Sequence, residues 1–314
     1  MSNNLYTPIL FLTFNRFDET KRVFEVIKNA RPKKLYIASD GPRNSSLGED
    51  LKVKNVRDFI ESNINWECDV KTLFREKNLG CKIAVSSAID WFFENEDRGI
   101  ILEDDCLPNI SFFEFCEELL EKYQENNNIA MISGDNFHFG HRYGEADYFF
   151  SRIPHIWGWA TWKRAWKSYD VEMSDYQDFK NKEKIKDIWQ EKKINKYWIS
   201  IFDDVYKNKI NTWDYQLALM IFNRNLVCIC PNVNLVSNIG FGNKSTHIVK
   251  KNKYIGIPGE TINFPLKHPK EIVLSAQADL NIINEWFLKG YRFKKILKKI
   301  GLFNLVKKIY SKFN

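Results

Sequence analysis

Two hydrophobic periods alternate along the first 135 residues. Short β-rich runs, "PILFLTF" (8–14), "KLYIASD" (34–40), "CDVKTLF" (68–74), "GIILE" (99–103) and "IAMISG" (129–134), are mostly apolar, the third the exception with Asp69 and Lys71 inside it. Between them lie stretches with helical spacing: "DETKRVFEVIKNA", a charged segment from Glu49 to Ser62, "CKIAVSSAIDWFFEN" and "SFFEFCEELLEKYQE". Mostly apolar strands separated by helices of ten to fifteen residues predict βαβ units, hence an α/β fold around a mostly parallel sheet. Such sheets bind ligands outside the carboxyl ends of their strands. Those ends read Thr13-Phe14-Asn15-Arg16, Ser39-Asp40-Gly41, Arg75 to Asn78, Glu103-Asp104-Asp105 and Ser133-Gly134-Asp135, all of them polar.

Composition narrows the class. The 314 residues suffice for one large or two ordinary domains. No run approaches the ~20 apolar residues of a membrane span, and the N-terminus has no positively charged region of the secretory type. The six cysteines show no metal or redox spacing, and reduced buried thiols are expected. The net charge of +7 is unevenly placed: residues 289–314 hold nine Lys/Arg and no acid, leaving 38 basic and 40 acidic residues elsewhere. A body that is nearly neutral is not the surface of a nucleic-acid-binding protein.

The candidate chemistry lies at the strand ends. No Gly-x-Gly-x-x-Gly or Gly-x-x-x-x-Gly-Lys loop occurs, which argues against dinucleotide and P-loop folds. Arg16, Arg75 and Lys82 supply positive charge, whereas Glu103, Asp104 and Asp105 follow an apolar strand directly. Hard carboxylate oxygens suit Mg²⁺ or Mn²⁺, which bind through one or two carboxylates plus substrate phosphates. A diphosphate-bearing substrate satisfies both sets of residues; the alternative is a solvated acidic turn before the next helix.

"ILEDDCLPNISFFEF" resembles the Asp-x-Asp element of GT-A-fold glycosyltransferases, in the form found in mannoside β-1,2-N-acetylglucosaminyltransferases. Further segments resemble that family in the same order, from about Pro8 to His247: "FNR", "IASDG", "REKNLGCKIAVSSAIDWFF", "IPHIWGWATWKRAW", "TWDYQLAL" and "NLVSNIGFGNKSTH". The resemblance implies a Mn²⁺- or Mg²⁺-dependent inverting transfer of GlcNAc or another hexose from a UDP-sugar. Asp105 is then the metal ligand and Asp214 the catalytic base, with Asp135 and Asp204 in reserve because Trp-Asp-Tyr replaces the family's two consecutive acids. Thr13, Asn15, Arg16, Asp40, Arg75, Asn78, Lys82, Glu103 and Asp104 would line the donor site; Trp157, Gly158 and Trp159 would border the acceptor. Read locally, Asp214 is equally a helix cap, and Trp159, Trp162 and Trp166 at i, i+3 and i+7 fit a buried helix face. His155 and His247 are possible phosphate or metal contacts, and Gly240 and Gly242 mark a loop able to close over the donor.

Residues 289–314 carry apolar residues at helical spacing, with lysines opposite and Gly301 interrupting. That is the pattern of a basic amphipathic helix lying on an anionic membrane. The expected organisation is therefore a GT-A domain over 1–288, split into a nucleotide-sugar half (1–135) and an acceptor half (136–288), with a membrane-association helix after it. The expected setting is the inner face of a bacterial cell membrane, with a glycan or lipid-linked acceptor for surface polysaccharide. Two alternatives stay open: a sugar nucleotidyltransferase, and an inactive carbohydrate-binding scaffold.

Overall fold

The computed structural model describes residues 4–240 and 256–289. The first half follows the predicted alternation: β1 Ile9–Thr13, α1 Phe17–Ala30, β2 Lys34–Ser39, α2 Glu49–Asn63, β3 Asp69–Phe74, α3 Gly80–Asn95, β4 Arg98–Glu103, β5 Cys106–Pro108, α4 Ser111–Lys122 and β6 Ile129–Ser133. The second half comprises β7 Tyr148–Ser151, β8 Trp159–Trp162, α5 Lys163–Trp166, α6 Tyr176–Asn181, α7 Ile185–Ile188, α8 Lys192–Tyr206, α9 Asp214–Asn223, β9 Val227–Pro231, β10 Val236–Asn238 and α10 Ala276–Ile282. A π-helical turn, Ile283–Leu288, continues α10.

One eight-stranded sheet organises the chain, in the order β3-β2-β1-β4-β8-β6-β9-β7. β3, β2, β1 and β4 are mutually parallel, and β8 runs antiparallel between β4 and β6. β9 is parallel to β6, and β7 closes the far edge antiparallel to β9. The mostly parallel α/β sheet is thus present, with one later strand inserted where the first half alone would join β4 to β6.

Both faces of the sheet are covered, which explains the mostly apolar strands. Leu10, Leu12, Tyr36 and Ile101 face a core shared with α3, α8 and α9. Ile9, Phe11, Ile37, Ile100 and Leu102 face a second core with α1, α2 and α4. Burial of this kind contributes ~1.5–3 kcal/mol per large apolar side chain. β3 lies at an edge and carries Asp69 and Lys71 outward, the charges that discourage edge-to-edge pairing. Gly99 starts β4 where a Cβ would sit 2.2 Å from the Phe92 ring, so α3 packs directly on strand backbone there.

Two expectations change. Trp159 and Trp162 are not on a helix: they occupy β8, and their rings enter opposite cores. Only Trp166 is helical, in the single turn of α5. Apolar character on both faces of a four-residue strand erased the alternation that would have marked it. The tail 290–314 and the loop 241–255, including Gly242 and His247, lie outside the described residues.

Candidate active site

The polar strand ends converge as a parallel sheet requires. A cavity of about 450 Å³ opens at the carboxyl ends of β1, β2 and β4, lined by Thr13, Arg16, Asp40, Arg75, Asn78, Glu103 and Asp104. Seven of the nine residues assigned to the donor from sequence therefore share one wall. A larger cleft of about 750 Å³ lies by Lys34, Arg98 and Trp162, at the opposite edge, away from all of them.

At its floor, Arg16 spans two acids. Its guanidinium pairs with Asp104 and donates to Asp105 Oδ2 at 2.7 Å, and the Phe14 N–H donates to Asp104 Oδ2 at 3.2 Å. Three carboxylates against one guanidinium leave excess negative charge in low-dielectric surroundings. Glu103 is accordingly pushed up to about 8 by burial, with Asp105 and Asp104 adding to the effect. Burial pushes Asp104 up to about 6 although Arg16 opposes it. Burial alone would lower Arg16, but Asp104 and Asp105 outweigh it and hold its pKa above the ordinary value.

β10 pairs antiparallel with β5, laying the segment after it over these acids. The Ile239 N–H donates to the Asp105 carbonyl at 2.8 Å. A Cβ on Gly240 would stand 2.2 Å from Asp105 Oδ2, so only glycine allows this approach. The donor set fits a hard divalent cation, since Asp104 and Asp105 offer adjacent oxygens beneath uncompensated negative charge. Among the described residues no group of three or more His, Cys, Asp or Glu side chains converges. The protein would thus supply one or two ligands, and phosphate and water the rest.

The remaining donor-side residues have distinct local duties. Asp40 accepts from the backbone of Gly41, Leu79 and Gly80 at 2.9–3.1 Å, fixing the start of α3 against β2. The Asn78 side-chain amide donates to the Gly41 carbonyl at 2.8 Å, and Arg75 to Ser87 Oγ at 2.7 Å. Asn15 and Lys82 do not line the cavity. Asn15 donates to Glu49 at 2.8 Å. The Lys82 ammonium turns instead to Glu172 at 3.3 Å and Asn208 at 3.4 Å, because the first turn of α3 faces α8 there. Sequence reasoning missed Arg43 and Asn211 in the wall. It also missed Arg57, which gathers the carbonyls of Ser39, Asp40 and Arg75 at 2.8–3.1 Å. An arginine in mid-helix carries no sequence signal for that role.

No family model matches the sequence, and no curated protein matches it. Among solved structures the chain is similar to a mannosyltransferase from Pyrobaculum calidifontis in complex with GDP-Man and Mn²⁺, at 11% identity over 49% of this chain and 43% of that one, TM-score 0.33. A UDP-glucose pyrophosphorylase complexed with UDP-glucose shows 11% identity over 72% of this chain and 90% of that one, TM-score 0.34. A glycosyltransferase from Streptococcus pneumoniae TIGR4 shows 10% identity over 71% and 45%, TM-score 0.34. The chain thus spans less than half of both transferases. Likeness this distant leaves the chemistry to the site itself.

A second cavity, about 280 Å³, adjoins the far side of β4 and β6, and Asp214 lines it with Asp135, His155, Trp157 and Trp286. Asp214 is the first residue of α9 and not its cap, which is Trp213. Its Oδ1 accepts from Thr212 Oγ1, and from the Tyr215 N–H at 2.9 Å. Oδ2 has no hydrogen bond among the described residues, and burial raises the carboxyl above its usual range. Glu103 and Cys81, on the first cavity, both feel its negative charge. Asp214 thus lines the second cavity and lies within electrostatic reach of the first.

Trp157 borders the second cavity. Gly158, at φ 68°, turns the chain there, and its carbonyl accepts from the Gly134 N–H at 2.8 Å. Trp159 is only 1% exposed and stacks on Trp213 at 5.6 Å. It faces the core and offers no surface to an acceptor sugar, a correction that follows from its place in β8. Asp204 lies on α8 paired with Lys209, and does not line either cavity.

Proposed function

We propose that this protein is an inverting glycosyltransferase that moves a hexose, GlcNAc on the strength of the motif resemblance, from a UDP-sugar to a glycan or lipid-linked acceptor. The observation that carries the reading is the position of Asp214: one carboxylate, raised by burial, in the wall of an aromatic cavity and within electrostatic reach of Glu103 in the donor-sized cleft. A raised pKa makes this carboxylate a stronger proton acceptor than an ordinary aspartate. In the reaction the acceptor O–H gives its proton to Asp214 Oδ2 as its oxygen bonds to the donor's anomeric carbon. The bond from that carbon to the diphosphate breaks on the opposite face, and UDP departs.

Arg16, Arg43 and Arg75 stand around the donor cleft to receive phosphate oxygens and uridine. Asp105, with Asp104 beside it, would hold Mn²⁺ or Mg²⁺, which when bound offsets the charge growing on the diphosphate. Asp40, through the loop it ties down, sets the wall of the nucleoside pocket. A division near residue 135 accords with most of the donor-cleft lining preceding it, Asn211 excepted, and with Asp214 and Trp157 following it. The basic amphipathic tail suits an enzyme stationed at the inner face of a bacterial membrane during surface polysaccharide synthesis.

The deciding measurement is UDP release from a panel of UDP-sugars with Mn²⁺. Release from at least one, lost in Asp105→Ala, is expected. No turnover and no thermal shift with any UDP-sugar would sink the reading.

A further inference from the structure

The second cavity contains an unmet hydrogen-bonding demand. Asp135 is 1% exposed, and its Oδ1 accepts from the Trp157 N–H at 3.0 Å. Its Oδ2 has no hydrogen-bond partner, the nearest charged group being His155 Nδ1 at 3.5 Å. A buried carboxylate oxygen without a donor costs free energy of ~1–3 kcal/mol or more, and Asp135 is one of the residues lining the cavity. Facing it are three rings: Phe137 stacks on Trp286 at 4.7 Å and 17°, and Trp157 meets them edge-on at 4.8 and 5.7 Å.

The chemistry selects the ligand. Two carboxylates, Asp135 and Asp214, repel phosphates and other anions. The electron-rich ring faces attract the polarised C–H face of a pyranose. Its hydroxyls donate to carboxylates in short charge-assisted bonds. Aromatic cages beside acids also suit quaternary ammonium ions, but the quaternary nitrogen has no N–H to give Asp135 Oδ2, whereas a pyranose carries several hydroxyl donors. The cavity, about 280 Å³, lies below the ~300–1,000 Å³ of pockets for drug-sized ligands and suits a single small ring.

We infer that this cavity is a pyranose subsite in which one ring of the Phe137–Trp157–Trp286 group stacks on a sugar face, the others walling its edge, and Asp135 Oδ2 accepts from a hydroxyl. Within the transfer proposed above, whose reading this deepens, the same sugar is the acceptor and turns a second hydroxyl to Asp214. Trp286 closes the cavity only three residues before the basic tail begins at Lys289, so a sugar on a lipid carrier and one on a free glycan both reach it.

The test omits the donor, so it stands apart from the transferase reading. Tryptophan fluorescence of the full chain is titrated with methyl and octyl glycosides of glucose, galactose, mannose and GlcNAc. At least one should give a saturable change, with Asp135→Asn raising its Kd tenfold or more and Trp286→Ala abolishing the change. UDP affinity, measured by calorimetry, should stay within twofold of wild type in both variants, which also shows that they fold. Octyl glycosides binding far tighter than methyl ones identify a lipid carrier, and equal binding a free glycan. No response to any glycoside, or saturation by choline in their place, would overturn the subsite. Failure of wild type to bind UDP while glycosides bind would instead overturn the donor assignment alone.

Discussion

Asp214 is held by one oxygen and open at the other. Thr212 and the Tyr215 N–H fix Oδ1, leaving Oδ2 without a hydrogen bond among the described residues, in a side chain that lines the second cavity. Asp214→Asn keeps size and both local contacts but cannot take a proton. Transfer should fall by about 10²–10⁴, the usual contribution of a positioned general base, with UDP affinity unchanged by calorimetry; full turnover would remove Asp214 from the mechanism. The acids of β4 differ in the same way. Asp105 stands under Gly240 beside Arg16, Asp104 is anchored by Arg16 and Phe14, and Glu103, half-buried at the end of β4, rises furthest in pKa. Three adjacent carboxylates are readable from the sequence as a site, but their unequal roles depend on which side of the strand end each takes. Side-chain detours such as Lys82 toward Glu172 come from tertiary neighbours ~90 residues away, which no local pattern encodes.

At the scale of elements, β1, β2, β4 and β6 were legible because burial on both faces leaves apolar runs between helices, and the edge strand β3 from its β-rich residues and its place in the alternation. β8 was not, since four residues with tryptophan at both ends satisfy helical and extended periods alike. β7 and α10 were equally silent, and their junction carries a titratable bond. Asp279 of α10 accepts from Ser151 Oγ at 2.6 Å and the Arg152 N–H at 3.0 Å. Burial nonetheless pushes its pKa up to about 6, against those two bonds. Because the folded value is raised, the contribution to stability is fully present below the unfolded carboxyl pKa near ~4 and is lost as pH rises through about 6. A shift of about two units corresponds to roughly 3 kcal/mol. Between pH 4 and pH 7, urea denaturation should show wild type losing about that much relative to Asp279→Asn, whose side chain does not titrate. A pH-independent difference would mean that the carboxylate is ionised throughout.

The whole molecule is electrostatically divided, and the division bears on where it works. Residues 1–288 carry 38 basic and 40 acidic side chains, whereas residues 289–314 carry nine basic and none acidic. We propose that attraction to an anionic surface belongs to the last twenty-six residues, at about 1 kcal/mol for each Lys or Arg near the headgroups, with their apolar positions at helical spacing adding insertion. The described fold reaches its last core contact at Leu288, 2% exposed, and α10 with the π-helical turn already closes the aromatic cavity. A chain ending at Leu288 keeps that core complete, so its melting temperature and UDP affinity should match the full chain. Its sedimentation with phosphatidylglycerol vesicles should vanish, while the full chain binds and is released by salt, as a charge-driven contact within a Debye length of about 8–10 Å requires. If the shortened chain binds those vesicles undiminished, attraction lies in the body and the tail packs upon it. If the shortened chain melts early, residues beyond 288 belong to the fold, and the cavity beside Trp286 owes part of its wall to them.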